Sequence, residues 1–414
     1  MSAEIRKIEV NGTDIDVIYE KSSYIPSVFI KFVFKDSGNI TTKLGLAKFS
    51  ASLLNEGTLS DGSYGFANKL EAKAISLHSV TGYETFNIEI EALKEHFEYG
   101  ILQLQRLLKE PNYSDKSMEK IKKLSIAKIE KNKNNFDVVA SQNLNRLIFK
   151  DSVMEYPSIG TKESIENISS DDVKGYINSH LGYDNLIVVI GGDISFDDAT
   201  KYIKMVVSNL PKSQTTKVKP IELQKPKERF NFVINSDTKQ SYIYFASKFN
   251  LKYSDKNQYK ALVASHILGA SGFGSRMMEE LRVKRGLTYG AYAYFMSLKF
   301  TNYFLGHLST KIESQKEALD VVQNVVDNFV DNGVTQEELD SAKRYILGSE
   351  PLKNESLSQR LNSTFHNFYY DRGLDYNKEK LRDIENLTLD ELNSFIKSHK
   401  EIKDITFSIV TTQK

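Results

Sequence analysis

The 414-residue chain contains no cysteine, no tryptophan and only seven prolines. The absence of cysteine excludes disulfides, thiolate metal sites and cysteine nucleophiles. A chain without thiols is more typical of an oxidising compartment, so we expect a periplasmic protein, with the cytoplasm as the alternative. The first ten residues lack the apolar stretch of a signal peptide, as they would if an export signal had been removed.

Long apolar runs and an excess of either charge are also missing. No stretch approaches the ~18–20 apolar residues of a membrane span, so we expect no membrane partner. The 55 Lys+Arg residues balance 54 Asp+Glu residues, a net charge of +1, which gives no reason to expect nucleic acid as a partner. With 40% hydrophobic residues, the composition is that of a folded protein with real cores.

The order of predicted elements repeats along the chain. Residues 114–127 match residues 335–348 in their pattern and helix-start chemistry, as expected for two copies of one unit. We therefore predict an α+β fold of two homologous domains, each a mostly antiparallel sheet backed by helices. The first domain would cover residues 1–212 and the second residues 229–414, joined by a linker without periodic pattern at 213–228.

Some local patterns are specific enough to predict single elements. The pair Asn11-Gly12 is the strongest short-range signal for a hairpin, because such residues adopt the positive φ angles of a type I′ turn. Alternation from Tyr83 to Ile90 predicts a strand with one wet face. In the second half, the pattern predicts a helix at 275–284 followed by a strand at 288–296.

Common catalytic motifs are absent. No serine lies in a G-x-S-x-G turn, and the glycine-rich turn at 269–276 lacks the G-K-[ST] of a phosphate-binding loop. None of the seven histidines has another histidine three or four residues away, so the sequence has no helical histidine pair of the kind that binds zinc. From the residues alone, we interpret the histidines as surface or structural groups.

One segment does resemble a known family. Residues 45–58, GLAKFSASLLNEGT, resemble the signature of the insulinase and pitrilysin-type zinc peptidases, which include the mitochondrial processing peptidases. In that family G-x-A-H-x-x-E-H is followed by G-T. The resemblance extends to residues 156–195 and to residues 272–294, where the family reads close to G-x-x-S-R-L-x-x-E-[IL]-R-x-[KR]-x-G-L-x-Y, so it spans nearly the whole chain.

The departures from the family signature fall on the metal site. Lys48 and Ser52 stand where the family has its two zinc histidines, Ala51 stands at the general-base glutamate, and Lys128 aligns with the third ligand. A catalytic zinc needs three neutral or anionic donors and a carboxylate that activates water. We therefore expect no metal and no cofactor in this chain, and no peptide cleavage by the chain alone.

The second-half motif is intact. The resemblance implies that Arg282 and Tyr289 contact peptide carbonyls from the half opposite the zinc, where an N–H or phenol donor stabilises an oxyanion. It also implies a substrate-binding turn built on Gly269, Gly272, Gly274 and Ser275. Without the resemblance, Arg282 would be interpreted as a cation at a helix end and Tyr289 as a half-buried strand aromatic.

Taken together, the resemblance implies a non-catalytic subunit of a heterodimeric zinc metallopeptidase. Its partner would be a homologous catalytic subunit with an intact zinc motif. Unfolded or short peptides would add as a strand to a sheet edge by main-chain hydrogen bonds. A structural scaffold without catalytic role and a stand-alone peptide-binding clamp are the alternatives. A family member with an intact motif encoded nearby would favour the heterodimer over the scaffold, and size-exclusion of the chain with and without it would test the clamp.

Overall fold

The structure, a computed structural model, describes residues 3–413 as a mixture of helices and strands. The strands are β1 Glu4–Val10, β2 Thr13–Lys21, β3 Ser27–Phe34, β4 Ser76–Thr81, β5 Phe86–Leu93, β6 Leu186–Gly192, β7 Phe230–Ile234, β8 Ser241–Lys248, β9 Ala291–Ser297, β10 Asn302–Thr310 and β11 Thr406–Thr411.

The α-helices carry most of the remaining ordered chain. They are α1 Leu46–Leu54, α2 Gly62–Glu71, α3 Lys94–Lys109, α4 Asp115–Lys133, α5 Phe136–Ile148, α6 Lys162–Glu166, α7 Ser170–His180, α8 Phe196–Val207, α9 Gln258–Ser265, α10 Arg276–Met278, α11 Gln315–Asn332, α12 Gln336–Ser349, α13 Leu357–Tyr369, α14 Tyr376–Asn386 and α15 Leu389–Ser398.

Two local predictions can be compared with these elements directly. The hairpin at Asn11-Gly12 is confirmed, since both residues have positive φ, 51° and 73°, between paired strands β1 and β2. The strand predicted from Tyr83 begins later, at Phe86. The reason is a tight turn, closed by the Gly82 amide donating to the Thr85 carbonyl at 2.9 Å.

The chain divides into two compact units. Within the described residues, the first unit contains 3–130, 156–218 and 353–366, and the second contains 131–155, 219–352 and 367–413. Each unit therefore includes a segment from the opposite half of the sequence. The predicted linker, 213–228, contains no helix or strand.

The first unit is built on a six-stranded sheet in the order β1-β2-β6-β3-β5-β4. Only the β2–β6 pair is parallel, and the other neighbours are antiparallel. On one face, alternate strand residues such as Phe32, Ile88 and Ile190 are fully buried in a core with apolar residues of the helices. That burial is the main stabilising contribution of the sheet, at roughly 25 cal/mol per Å² of apolar surface.

The second unit repeats this plan with five strands in the order β7-β11-β8-β10-β9. Again one pair is parallel, β11 with β7, and the rest are antiparallel. The order and the position of the parallel pair match β2-β6-β3-β5-β4 of the first unit. The predicted α+β class with mostly antiparallel sheets is confirmed.

The other face of each sheet contacts a helix from the opposite half of the chain. In the first unit, Arg360 of α13 binds Glu20 of β2 with two nitrogens, at 2.8 and 2.7 Å. In the second, the Ser408 hydroxyl of β11 donates to the Ala140 carbonyl of α5 at 2.8 Å. Each sheet is thereby covered on both faces over part of its area.

Candidate functional site

The glycine-rich turn between α9 and α10 is shaped by close packing behind it. A short π-helix, His266–Ala270, continues α9, and a Cβ at Gly269 would lie only 2.4 Å from the amide nitrogen of Ala293. Gly269 is thus required for the approach of this segment to β9. Single-turn π-helices often occur at functional sites.

The turn then reverses through two left-handed residues. Gly272 and Gly274 have φ of 68° and 83°, a conformation that costs other residues energy. Ser275 is fully buried, and its hydroxyl donates to the Gly272 carbonyl at 2.6 Å. Of the predicted substrate-binding residues, Gly274 is exposed and the buried Gly269, Gly272 and Ser275 shape the turn.

Arg276 links the segment that follows the turn to Glu338 and Gly333. Its guanidinium donates to both carboxylate oxygens of Glu338, at 2.6 and 2.7 Å, and to the Gly333 carbonyl at 2.8 Å. The geometry is bidentate, the strongest form of an Arg–carboxylate pair. Burial by itself raises the pKa of Glu338, but the hydrogen bonds from Arg276 and Thr335 outweigh it and place the pKa below its ordinary value.

Arg282 and Tyr289 lie together at the end of this segment. The helix predicted at 275–284 is present as α10 and a π-helical turn, Glu279–Val283, which includes Arg282. One Nη of Arg282 donates to the Tyr289 carbonyl oxygen at 2.8 Å. Tyr289 is 85% exposed, so its hydroxyl can meet a ligand from solution.

The strand after this turn starts later than the sequence pattern predicts. β9 begins at Ala291, and Tyr289 lies in the turn before it. The Thr288 hydroxyl donates to the Gly290 carbonyl at 2.8 Å and accepts from the Gly290 amide at 3.1 Å. This local turn competes with strand pairing, and Tyr289 therefore lies outside β9.

Phe273 is a member of this site that the sequence analysis did not identify. Phe273 is 68% exposed, and the Arg282 guanidinium carbon lies 4.5 Å from the centroid of its ring. Such cation–π contacts contribute about 0.5–1 kcal/mol at exposed positions. The only sequence signal was a large apolar residue between two glycines of the turn. Arg282 is therefore oriented from two sides, by Phe273 and by the Tyr289 carbonyl.

The positions of the zinc signature lie on α1 and α4. Lys48 is exposed and Ala51 is buried, while the Ser52 hydroxyl donates to the Lys48 carbonyl at 3.0 Å within the helix. Lys128 is an exposed residue of α4. An ammonium group, a methyl group and a hydroxyl already used by the backbone offer no set of zinc donors, so these residues do not fit a zinc ion.

A buried carboxylate that follows α1 in the sequence does not replace the missing donors. Glu56, just after α1, accepts from Lys120 with both oxygens at 2.8 Å and from the Ser63 hydroxyl at 2.5 Å. Among residues 3–413, no group of three or more histidine, aspartate or glutamate side chains is placed to hold a metal. Across the same residues, no helix is long and apolar enough to cross a membrane.

Comparison with known proteins places these observations in one family. The model of the peptidase M16 inactive domain matches residues 167–346. The non-peptidase homolog YmxG of Helicobacter pylori is 38% identical over 98% of this chain and 94% of its own length. The uncharacterized zinc protease YmxG of Bacillus subtilis is 21% identical over 77% of this chain and 76% of its own.

Solved structures share the fold. A peptidase M16 inactive domain from Pseudomonas fluorescens superimposes with a TM-score of 0.89 at 23% identity, covering 99% of this chain and 98% of that one. A protease from Helicobacter pylori gives a TM-score of 0.83 at 16% identity, with 99% and 100% covered.

Proposed function

Since the chain belongs to the M16 peptidase family, of which the insulinase and pitrilysin-type enzymes are members, we propose that it is the zinc-less, non-catalytic subunit of a heterodimeric zinc metallopeptidase. The observation that carries the proposal is the contrast between the first half of the chain, with its degenerate zinc motif, and the second half, with its intact motif. The zinc positions on α1 and α4 lack donors, whereas Arg282 and Tyr289 are together and accessible. The relative from Helicobacter pylori is named a non-peptidase homolog, which supports the non-catalytic part of this proposal.

The chain by itself lacks the groups that activate water. Hydrolysis of a peptide bond by this family's chemistry needs a Lewis acid and a carboxylate base beside it, and Ala51 stands at the position of the base. We propose that a homologous catalytic subunit supplies both, with an intact H-x-x-E-H helix and its zinc. We also propose that the pair is periplasmic, with the cytoplasm as the alternative, because a chain without cysteine is more typical of an oxidising compartment.

The contribution of this chain is to bind the peptide and stabilise negative charge. The Tyr289 hydroxyl, presented to solvent, donates to the carbonyl oxygen of the scissile bond as it becomes an oxyanion. Arg282 holds a neighbouring peptide carbonyl with the guanidinium nitrogens that its contact with the Tyr289 carbonyl leaves available. Arg282 is already oriented by the Phe273 ring and the Tyr289 carbonyl, and a donor oriented in advance costs little reorganisation during the reaction.

The rival role as a scaffold finds less support at this site. Exposure by itself does not distinguish the two roles, since Tyr24 is 97% exposed and Tyr289 85%. The difference is that Tyr289 lies beside an arginine that contacts its carbonyl. An arginine oriented by an exposed ring, as Arg282 is by Phe273, is typical of a binding surface, where Tyr and Arg are enriched.

The test is kinetics of the reconstituted pair. The chain and the family member with the intact motif are purified together, and cleavage of an unfolded reporter peptide is followed. Tyr289→Phe should lower kcat by about 10²–10³-fold, the cost of one lost oxyanion donor. Arg282→Ala should lower kcat/KM further, because it also weakens peptide binding. Tyr24→Phe, at a tyrosine that is 97% exposed elsewhere, is the matched control and should change neither.

Four outcomes would contradict the proposal. Unchanged kcat for Tyr289→Phe in an active pair removes its role on the oxyanion. Loss of activity in proportion to a lower melting temperature means that both residues act through folding. Failure of any zinc-motif homologue to associate, or peptidase activity and stoichiometric zinc in this chain alone, removes the heterodimer.

A further inference from the structure

A cavity of about 800 Å³ is lined by residues of α3, of α7 and of the end of α8 with the residues that follow it. All of these residues belong to the first unit. The volume is in the range of roughly 300–1,000 Å³ that is usual for small-molecule sites. None of the residues assigned above to peptide binding or to the degenerate zinc motif lines this cavity, so it is a separate feature of the molecule.

The floor of the cavity, defined as its buried lining residues, is apolar. Four of these five residues are aliphatic and at most 9% exposed, namely Ile177, Leu181, Val206 and Leu210. The fifth, Gln103, already accepts a hydrogen bond from Arg106 at 3.0 Å. A polar group of a ligand would give up its hydrogen bonds to water on this floor and gain little in return. A hydrocarbon chain, in contrast, is stabilised there by leaving water.

The rim of the cavity, defined as its exposed lining residues, is mostly polar. It consists of Leu102, Lys109, Asn178, Asn209 and Pro211. Leu102 is 43% exposed, so apolar surface is also present at the opening. An apolar floor below a polar rim fits a molecule that has one apolar end and one polar end.

The charge at the cavity is positive. Among the described residues, the charged side chains that line it are Arg106 and Lys109, and no carboxylate does. Arg106 is neutralised by Asp61 at 2.9 Å and by Glu110 at 3.3 Å. The Lys109 ammonium group has no ion pair within residues 3–413, so its charge is available to an anionic ligand.

We propose that this cavity binds a single-chain fatty acid, with the hydrocarbon chain on the floor and the carboxylate beside Lys109. Burial of the chain supplies most of the affinity, and the unpaired cation determines which end of the ligand stays at the rim. A cationic amphiphile would bring like charges together there, which is unfavourable. The site goes beyond the peptide-binding role proposed above and does not depend on it.

The two parts of the ligand should contribute unequally. Each buried methylene group raises affinity about fourfold, so dodecanoate, with two more methylenes than decanoate, should bind about 15-fold more tightly. The contact between the carboxylate and Lys109 is an exposed ion pair, which contributes about two- to fivefold. Chain length should therefore dominate affinity, and charge should determine the preferred headgroup.

The experiment uses the full chain and a fluorescent probe, undecanoate labelled with dansyl at the end of its chain. Displacement of the probe gives Kd for decanoate, dodecanoate, decanol and decyltrimethylammonium, each below the concentration at which it forms micelles. Decanoate should bind about two- to fivefold more tightly than decanol. Decyltrimethylammonium should bind most weakly, because its charge has the same sign as that of Lys109.

Two variants at the rim test the contacts of the ligand. Leu102→Glu adds a carboxylate and removes apolar contact, so it should weaken dodecanoate binding about tenfold or more. Lys109→Met keeps an apolar side chain without the charge, and should weaken dodecanoate binding about two- to fivefold while leaving decanol unchanged. Both positions are exposed, so the fold is kept. Leu124→Glu, at a leucine of α4 that is 57% exposed, is the matched control and should change neither affinity.

A photoreactive ligand tests the location directly. Dodecanoate that carries a diazirine at the end of its chain should crosslink to residues 99–109, 177–181 or 206–211. An excess of unmodified dodecanoate should prevent this crosslink.

Several results would overturn the inference. Absence of probe binding to the wild type removes the site. Dodecanoate affinity that is unchanged in Leu102→Glu, or a crosslink outside these segments, places the ligand elsewhere. Equal affinities for decanoate and decanol, together with no effect of Lys109→Met, contradict the contact with the carboxylate. A dimer of the chain that Leu102→Glu dissociates would assign the rim to a second copy instead. Each of these results leaves the kinetic prediction for Tyr289→Phe in the reconstituted pair unaffected.

Discussion

Removing the Arg276 side chain should loosen the segment that carries Arg282 and Tyr289. The side chains of Arg276 and Glu338 are 16% and 28% exposed. Their ion pair is therefore intermediate between surface pairs, which contribute about 0–1 kcal/mol, and buried pairs, whose breakage costs about 3–5 kcal/mol. With the additional bond to the Gly333 carbonyl, we expect Arg276→Ala to lower the local free energy of opening by about 2–3 kcal/mol.

Hydrogen exchange followed by mass spectrometry measures this opening directly. A loss of about 2–3 kcal/mol corresponds to exchange about 30–150-fold faster at protected amides of residues 277–290. Lys316→Ala is the matched control, because its pair with Asp320, at 2.7 Å, joins side chains that are 89% and 57% exposed. Such a pair on a helix surface contributes only a few tenths of a kcal/mol, so exchange should hardly change.

The effect should also depend on pH with a definite sign. The folded pKa of Glu338 lies below its ordinary value of 4.5, so the pair stabilises fully above about that pH and is lost as the pH falls through the folded pKa. The difference between wild type and Arg276→Ala should therefore be complete at pH 7 and shrink below pH 4.5. Equal exchange at pH 7 in a folded variant, or an undiminished difference in acid, would refute the role given to Arg276.

Two more predictions concern the sheets. Arg360→Ala leaves the Glu20 carboxylate, 2% exposed, without its cationic partner, and should lower the free energy of unfolding in urea by about 3–5 kcal/mol. The double variant Glu20→Leu with Arg360→Leu should recover most of that loss. A loss under about 1 kcal/mol for Arg360→Ala would contradict the importance of the buried pair. Burial lowers the pKa of His307 below 6.5, and the negative charge of Asp137 offsets part of this effect. As the pH drops below 6.5, His307 is therefore protonated in the unfolded chain before it is protonated in the folded one, and the free energy of unfolding falls. His307→Phe should make melting temperatures less sensitive to acid in that range, and an unchanged pH dependence would exclude His307 as the cause.

Much of the fold follows from local patterns that tertiary contacts do not override. The Asn11-Gly12 turn, the alternating burial of Phe86, Ile88 and Ile90 and the repeated helix starts all rest on backbone preferences or on which face is apolar. The α+β class was predictable for the same reason, since the period of the pattern distinguishes strand from helix.

Elements with weak local patterns were not predictable. β4 reads SLHSVT and has a mixed burial pattern, because an edge strand buries too little to impose alternation. The pairing of α5 with the second sheet and of α13 with the first leaves no local signal, since an apolar helix face does not specify which sheet it contacts.

The candidate site divides in the same way. The sequence by itself determined which residue types stand at the zinc positions. Lys48, Ala51 and Ser52 offer no set of zinc-binding atoms, and this chemistry of the side chains does not depend on the fold. Only the tertiary structure decided that Arg282 meets the Phe273 ring and that Asn55 binds the Ser79 backbone. Those contacts join residues separated by 9 and 24 positions, and their distances are set by how helices and strand edges pack rather than by any pattern along the chain.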